Sequence, residues 1–464
     1  MSSKYYWIFV IVVLLITRFY GFNWGSGYAF NPDENNMATS ISQMSFSNLN
    51  PHFFAYGQFP LYLGFITQKL INIPNTFINS IYTLRIWSAV FSCLAVLILY
   101  LIYSNKFFFL LLIFTPGLIQ IAHFGTTESL LLLVFVSVLY LSITHRYFFA
   151  AVICGIGIAT KISALIFIIP AVLSLAKDKQ FIKLFLFLVI ILAVFCFLSP
   201  YNLINFSDFI SAFKYETAVA NGSLPVFYTR QFIGTFPYLF QFTHIFPYIA
   251  GLPMFVFSIF SLYRPKIYKT KLIMIFSCLI YFLYFGQVFT KWTRFMSPLF
   301  FVFPLLSTLY LNRQKPIIKY LLTIICLIPG LIFFSQYFKP DIRITASDWM
   351  NQNLPVNSKI LSESGNVVNL PFGGKFSVDN FDFYNQSLLS VDNYNYILIP
   401  SRRVFKNNFA PKYYQKLFSG QLGFTQIIQF SPLPNLFLND ENAEETWTVF
   451  DRPTIRIFQR TSEI

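Results

Sequence analysis

The sequence predicts a polytopic α-helical membrane protein with a small α/β domain at its C-terminal end. Three observations predict it. Of 464 residues, 56% are hydrophobic and only 11% are charged, where a soluble protein of this size carries about 25% charged residues. Apolar runs recur that approach or exceed the roughly 20 residues needed to cross a bilayer as a helix. Charge is also unevenly divided. From Lys339 onward there are 12 basic and 12 acidic residues, whereas the preceding part holds 21 basic against 6 acidic. The net charge of +15 therefore sits among the apolar runs. That is the pattern of cytoplasmic loops rich in Lys and Arg, and it argues against a nucleic-acid partner.

About eleven membrane helices are expected, near residues 5–20, 81–103, 107–122, 128–144, 147–160, 162–176, 182–199, 241–262, 271–289, 295–311 and 317–336. With the N-terminus in the cytoplasm, alternation puts Lys4, Lys106, Arg146, Lys177, Lys179, Lys183, Arg264, Lys266, Lys269, Lys271, Arg313, Lys315 and Lys319 inside, with Asp178 the one acid among them. Asp33, Glu34, Glu128, Asp208 and Glu216 fall outside. An odd helix count also puts the tail outside. The expectation is a multi-pass protein of the cell membrane, with a transmembrane module over 1–338 and an extracytoplasmic domain over 339–464.

The first apolar run follows Lys4 and has no small-residue cleavage site directly after it, so it reads as an uncleaved membrane helix. The stretch 147–176 is interrupted by Gly155, Gly157 and Lys161, and reads either as a hairpin of short helices or as one long helix. The run from Phe59 to Ile71 is short and has Pro60 near its start, which suits a helix lying in the membrane interface. That placement keeps Asp33 and Glu128 on one side of the bilayer. No internal repeat is evident. In the tail, Lys359–Ser362, Tyr396–Ile399, Trp447–Phe450 and Thr454–Phe458 read as strands, and Ile342–Asn351 and Tyr413–Gln421 as helices. Cys93, Cys154, Cys196, Cys278 and Cys326 all lie in apolar runs, so they are expected as small buried side chains rather than disulfides or metal ligands.

The chemistry-bearing residues concentrate outside. The first external loop, 21–80, contains Asn31-Pro32-Asp33-Glu34. Asn31 suits an N-cap, Pro32 the first helical position, and Glu34 the third position of a capping box. Met37, Ile41 and Met44 would form the apolar stripe of that helix. Glu128 follows Thr126 and Thr127 at the outer end of another helix, where the dipole favours an acid. Arg85, Lys161, Arg230, Lys291 and Arg294 form an outer basic group. Interfacial snorkelling explains some of these, but external cations are uncommon enough to suggest an anion such as a lipid phosphate.

These residues stand in motifs that resemble those of the GT-C superfamily of polyprenyl-phosphate-sugar-dependent glycosyltransferases, especially the protein O-mannosyltransferase and aminoarabinose-transferase-like families. The motifs are Phe30-Asn-Pro-Asp33-Glu34, Asn50-Pro51 through Tyr56 to Pro60-Leu-Tyr62, Leu84-Arg85-Ile-Trp-Ser88, Thr127-Glu128, Ala159-Thr160-Lys161, Ser199-Pro200-Tyr201, Arg294-Phe-Met-Ser-Pro298 and Val449-Phe-Asp-Arg-Pro453. Where the aminoarabinose branch carries a Lys before the loop proline, this chain has Gln58. The Trp-Trp-Asp signature of the oligosaccharyltransferase branch is not found.

The resemblance implies a GT-C-like fold and inverting transfer from a polyprenyl-phosphate monosaccharide to a hydroxyl of a protein, lipid or glycan. Asp33 would be the general base, with Glu34 and Glu128 orienting the acceptor or tuning it. Arg85, Lys161, Lys291 and Arg294 would hold the donor phosphate, and Tyr56, His52 and Arg230 would line the acceptor pocket. No nucleotide-binding glycine loop and no His/Cys metal constellation occur in the sequence. No cofactor is called for, and Asp33 with Glu128 would be the place for a divalent ion. Two alternatives stand beside this reading. One is a transporter or flippase of lipid-linked glycans, which would favour mid-helix ionisable residues and repeats. The other is a ligase or polymerase acting on lipid-linked glycans.

Overall fold

The computed structural model describes residues 3–263, 272–363, 370–381, 390–399, 411–435 and 437–461. It is mainly helical, with one five-stranded sheet near the C-terminal end. Each expected membrane segment finds an apolar helix or a bent helix pair at its place. Among the described residues, three helices, Phe77–Ile102, Phe181–Leu198 and Pro316–Phe338, are long and apolar enough to span a bilayer unaided, and three bent pairs bring the count to as many as six. Five more apolar helices are of 10–17 residues. The figure of eleven spans therefore exceeds what length and composition alone supply. Arg264, Lys266, Lys269 and Lys271 lie outside the described residues.

The helix Phe181–Leu198 shows what surrounds the molecule. Only Phe187 and Ile191 are buried along it, while Phe185, Leu186, Val189, Leu192 and Phe197 are exposed. So large an apolar surface is stable facing lipid, not water. The bends have local causes. Pro116 opens the second half of the pair Lys106–Ile113 and Pro116–His123, bent by 51°, where its ring cannot continue the preceding ladder. The 116° bend between Leu239–Ala250 and Leu252–Ser261 falls at Gly251, whose φ is +80° and whose missing Cβ would meet Pro329 at 2.7 Å. The stretch 147–176 resolves as a helix, Tyr147–Ile158, a break at 159–161, a 3-10 turn, Ile162–Ile168, and a second helix, Ile169–Lys177.

The first loop folds onto the bundle through two short helices, Pro32–Ser42 and Phe59–Leu70. Met37, Ile41 and Met44 form the expected stripe and pack against Leu61, Phe65, Ile81 and Leu84. The loop is then pinned from below. Gly57 N donates to the Thr160 carbonyl at 2.9 Å and Phe59 N to the Ala159 carbonyl at 3.1 Å. Gln58 is fully buried. Its backbone N–H donates to Ser199 Oγ at 3.1 Å, its amide donates to Asn202 Oδ1 at 3.1 Å, and its carbonyl oxygen accepts from Tyr201 N at 3.0 Å. Three motifs far apart in sequence thus meet at one node.

The sheet runs in the order β2-β1-β3-β5-β4, with β1 (Lys359–Glu363), β2 (Ser377–Phe381), β3 (Tyr396–Ile399), β4 (Phe424–Phe430) and β5 (Ile455–Arg460). β2, β1 and β3 run parallel, and β5 runs antiparallel to both of its neighbours, β3 and β4, with Leu361 beside Ile397 and Leu398 beside Ile457. Helices Ile342–Asn353 and Pro411–Phe418 accompany it. The expectations for β1, β3 and β5 and for both helices hold to within a few residues. β2 and β4 went unread, and Trp447–Phe450 is not a strand. It belongs to a buried strap, with Trp447, Thr448 and Val449 all at 2% exposure or less. Its apolar side chains face membrane helices rather than a ladder: Trp447 packs on Phe333 at 4.9 Å and Phe450 on Phe124 at 6.1 Å. One hydrophobic core runs continuously from the helices through this strap to Leu398 and Ile455.

Candidate active site

The site begins at the helix Pro32–Ser42. Asn31 is its N-cap, in an extended conformation, and its side chain accepts from Asp33 N at 3.0 Å and Glu34 N at 3.5 Å. Pro32 takes the first position. This fixes Asp33 and Glu34 on the first turn, pointing in different directions. Asp33 forms an ion pair with Arg294 at the rim of a cavity, with both side chains about one-fifth exposed (19% and 23%). Arg294 follows Thr293 at the start of a 3-10 turn, Thr293–Leu299, and its guanidinium stacks on Trp292 at 4.6 Å.

The cavity encloses about 390 Å³ counting its open mouth, and its lining includes Asp33, Glu128 and Arg294 together with Asn31, Gln120, Thr126 and Thr293. Phe124 and Phe300 supply apolar wall, and Thr446 and Phe450 of the strap close one side. Glu128 is the first residue of the helix Glu128–Ile143 and is 4% exposed. Thr127 holds the N-cap position without making a side-chain cap. The hydroxyl of Thr126 and the Nε of Arg294, both on the lining, are buried and have no hydrogen-bond partner among the described residues. Buried polar atoms are ordinarily paired, so this wall is furnished for a polar ligand.

Lys161, carried by the node under the first loop, is not among the residues that line this cavity, and neither is Tyr56. Its ammonium lies 4.8 Å from the Tyr56 ring and 5.7 Å from Phe295. Burial pushes it below the usual lysine range, opposed by the charges of Glu128 and Glu216. Tyr56 is itself buried, at 8% exposure.

Glu34 and Arg85 sit behind the cavity. Both side chains have no exposure. Arg85 donates to Glu34 through Nε and NH2 at 2.7 and 2.6 Å, and NH1 donates to the carbonyls of Phe22 and Trp24 at 3.1 and 2.5 Å. Glu34 also accepts from Gly125 N at 2.8 Å, so it closes no capping box. With those donors engaged and no surface, Arg85 presents nothing to a phosphate, and Glu34 presents nothing to an acceptor. The geometry gives the pair an architectural role: it ties the first loop to the turn that precedes Glu128.

The remaining candidates lie away from the cavity lining. Lys291 is 2% exposed, and its ammonium donates to the Phe289 carbonyl at 2.9 Å between the rings of Phe232 and Phe289. His52 is exposed at a turn with φ +48°. Arg230 is half-buried in the short helix Phe227–Phe232. Among the described residues, no three His, Cys, Asp or Glu side chains converge on a point where a metal ion would sit.

Sequence reasoning missed the strap. Glu444 is fully buried, and its carboxylate accepts from Thr293 N at 3.0 Å and Thr293 Oγ1 at 2.9 Å. Gln120 donates to the Trp447 carbonyl at 2.8 Å and to Asp451 at 3.1 Å. Asp451 also accepts from Tyr337 at 2.9 Å and Gln336 at 3.1 Å, and burial pushes its carboxyl up to about 6. Arg343, paired with Asp341, donates to the Phe450 carbonyl at 2.5 Å and covers the Phe30 ring at 3.6 Å. The sequence hints were the motif Val449-Phe-Asp-Arg-Pro453 and the acidic Asp440–Glu445 stretch that runs into Trp447 just before it.

No family model and no curated protein matches this sequence. Among solved structures, the chain is similar to ArnT from Cupriavidus metallidurans bound to undecaprenyl phosphate, at 13% identity and a TM-score of 0.45. It is similar to the apo state of that protein at 12% identity and a TM-score of 0.48. Both alignments cover 98% of each chain.

Proposed function

We propose that this chain is an inverting glycosyltransferase that moves a monosaccharide from a polyprenyl-phosphate carrier to an acceptor hydroxyl at the outer membrane face. The observation that carries this reading is the shared cavity of Asp33, Glu128 and Arg294, with Lys161 near enough for the charge of Glu128 to act on it. It places acid and cation together at helix ends, where a lipid-linked substrate and a water-borne acceptor can both arrive. The motif resemblance supports the same reading, and the charge segregation supports an N-terminus in the cytoplasm and residues 339–464 outside.

In this mechanism the donor phosphate takes up the free side of Arg294, and Lys161 adds a second positive charge. The incoming phosphate draws Arg294 off Asp33 and releases that carboxylate as a proton acceptor. The acceptor oxygen attacks the anomeric carbon from the face opposite the phosphate, and its proton passes to Asp33. The bond from the anomeric carbon to the phosphate oxygen breaks, with its electron pair leaving on the carrier phosphate. That group departs as an anion, so it needs positive charge rather than a proton donor. Glu128 is placed to hold the acceptor by a second hydroxyl.

The test is turnover by purified full-length protein in nanodiscs with defined polyprenyl-phosphate monosaccharides, read as release of carrier phosphate. Asp33→Asn is expected to abolish release while leaving expression and melting temperature close to wild type. Turnover retained in Asp33→Asn removes the base assignment. Failure of the wild-type protein to bind any polyprenyl phosphate removes the reading as a whole.

A further inference from the structure

We propose that Glu444 is a positioning residue for Arg294, so that the cavity is complete only when the C-terminal strap is docked. The proposal rests on the reading above for the role of Arg294, and its geometric content stands separately.

The first N–H groups of a helical turn have no partner within the turn. At Thr293–Leu299 that need is met from 151 residues away: Glu444 takes both the N–H and the hydroxyl of Thr293. The same carboxylate accepts from Gln231 Nε2 at 2.9 Å, from Thr446 N at 3.1 Å and from the Thr446 hydroxyl. The Glu444 backbone N–H donates to the His244 carbonyl at 2.9 Å. Five donors on one buried carboxylate leave it a single orientation.

Arg294 is the next residue after Thr293. Its guanidinium must bridge from Trp292 to Asp33, and the backbone it hangs from is held by Glu444. The carboxylate also acts on Arg294 through its charge. Thr446, bonded to the same group, lines the cavity itself. An amide cannot replace this carboxylate, because one of its two ends would be a donor facing donors.

Glu444→Gln, Glu444→Asp and Tyr337→Phe are compared in the full-length protein in nanodiscs. Tyr337→Phe removes a different strap anchor, the bond to Asp451, without touching Thr293. Two readouts are taken. One is binding of farnesyl phosphate, a short soluble carrier analogue. The other is phenylglyoxal modification of Arg294, read by mass spectrometry without any ligand.

Glu444→Gln is expected to weaken farnesyl phosphate roughly tenfold, the size of one buried charge-assisted hydrogen bond, and to expose Arg294 to modification. Tyr337→Phe should change neither by more than about twofold, a difference well under one such bond. Glu444→Asp should recover part of the loss, and Glu444→Gln should add nothing to Arg294→Ala. Equal effects of Glu444→Gln and Tyr337→Phe on Arg294 modification overturn the proposal, as does full additivity with Arg294→Ala. If the wild-type protein ignores farnesyl phosphate, the function reading fails, and the modification pattern still decides whether Glu444 positions Arg294.

Discussion

Arg85 grips Glu34 through two parallel N–H···O bonds while its remaining terminal nitrogen holds the carbonyls of Phe22 and Trp24. Both side chains are sealed from solvent. Removing one partner of such a pair leaves a buried charge uncompensated, at a cost of roughly 3–5 kcal/mol. Arg85→Ala and Glu34→Ala are each expected to lower the melting temperature sharply and to reduce folded yield. Arg85→Lys should behave much like the alanine variant, since a point charge cannot fill the fork. The double change Glu34→Leu with Arg85→Met should be milder than either single alanine. If Arg85→Ala melts like wild type and loses only carrier binding, the architectural role is wrong.

Gly57 is the second test of architecture. A Cβ there would lie 2.0 Å from the Ala159 carbonyl oxygen, an atom of backbone that cannot swing aside. Gly57→Ala should cost about 1–3 kcal/mol and break the Gly57–Thr160 bond. Because that node carries Lys161, a raised KM for donor should accompany the lower melting temperature. Gly234, with nothing within 4 Å of its Cβ position but a φ of +72°, provides the control: strain without collision. A donor KM shift in Gly234→Ala as large as that in Gly57→Ala would disconnect the node from Lys161.

The elements most readable from sequence are those specified locally. Apolar run length located the apolar helices, and Asn31-Pro32 announced the helix start that fixes Asp33. What stayed hidden depends on partners distant in the chain. Nothing near Glu34 says that Arg85 will claim it. Glu444 meets Thr293 only because the strap threads back into the helices. Trp447–Phe450 carries the aromatic and β-branched residues of a strand, and its burial against Phe333 and Phe124 explains those residues equally well. The excess of spans expected over helices long enough to span has two sources: three runs are bent, two of them at Pro116 and Gly251, and five more apolar helices are of only 10–17 residues among the described residues.

Asp451 makes the strap sensitive to pH. Its carboxyl rises from 3.8 to about 6 because burial outweighs the pull of Arg452, Tyr337 and Gln120. Between those values the folded state holds a proton that the unfolded state has lost. Stability from this group is therefore full below about pH 4 and falls as pH rises to 6, by about 3 kcal/mol in all. Asp451→Asn should remove that fall, so the difference in melting temperature between wild type and variant should change steadily from pH 4 to 6 and then level off. Melting curves for both proteins across that range check the sign. A difference that is flat with pH would mean Asp451 keeps its ordinary acidity.

In the proposed mechanism Arg294 separates donor from acceptor. Among the described residues it is the cation on the cavity wall whose Nε has no partner, and it forms an ion pair with the residue proposed as base. Arg294→Ala should weaken carrier phosphate by roughly tenfold or more, the size of a charge-assisted hydrogen bond to a buried group. Acceptor KM should move much less, since the proposed mechanism has Asp33 and Glu128 hold the acceptor. Arg294→Lys should recover only part of the loss, because an ammonium matches phosphate as a point charge without the planar fork. Titration of both substrates against the three proteins measures this directly. Equal losses for donor and acceptor in Arg294→Ala would mean that Arg294 shapes the cavity as a whole, and the phosphate would then have to be held elsewhere, with Lys161 as the next cation to test.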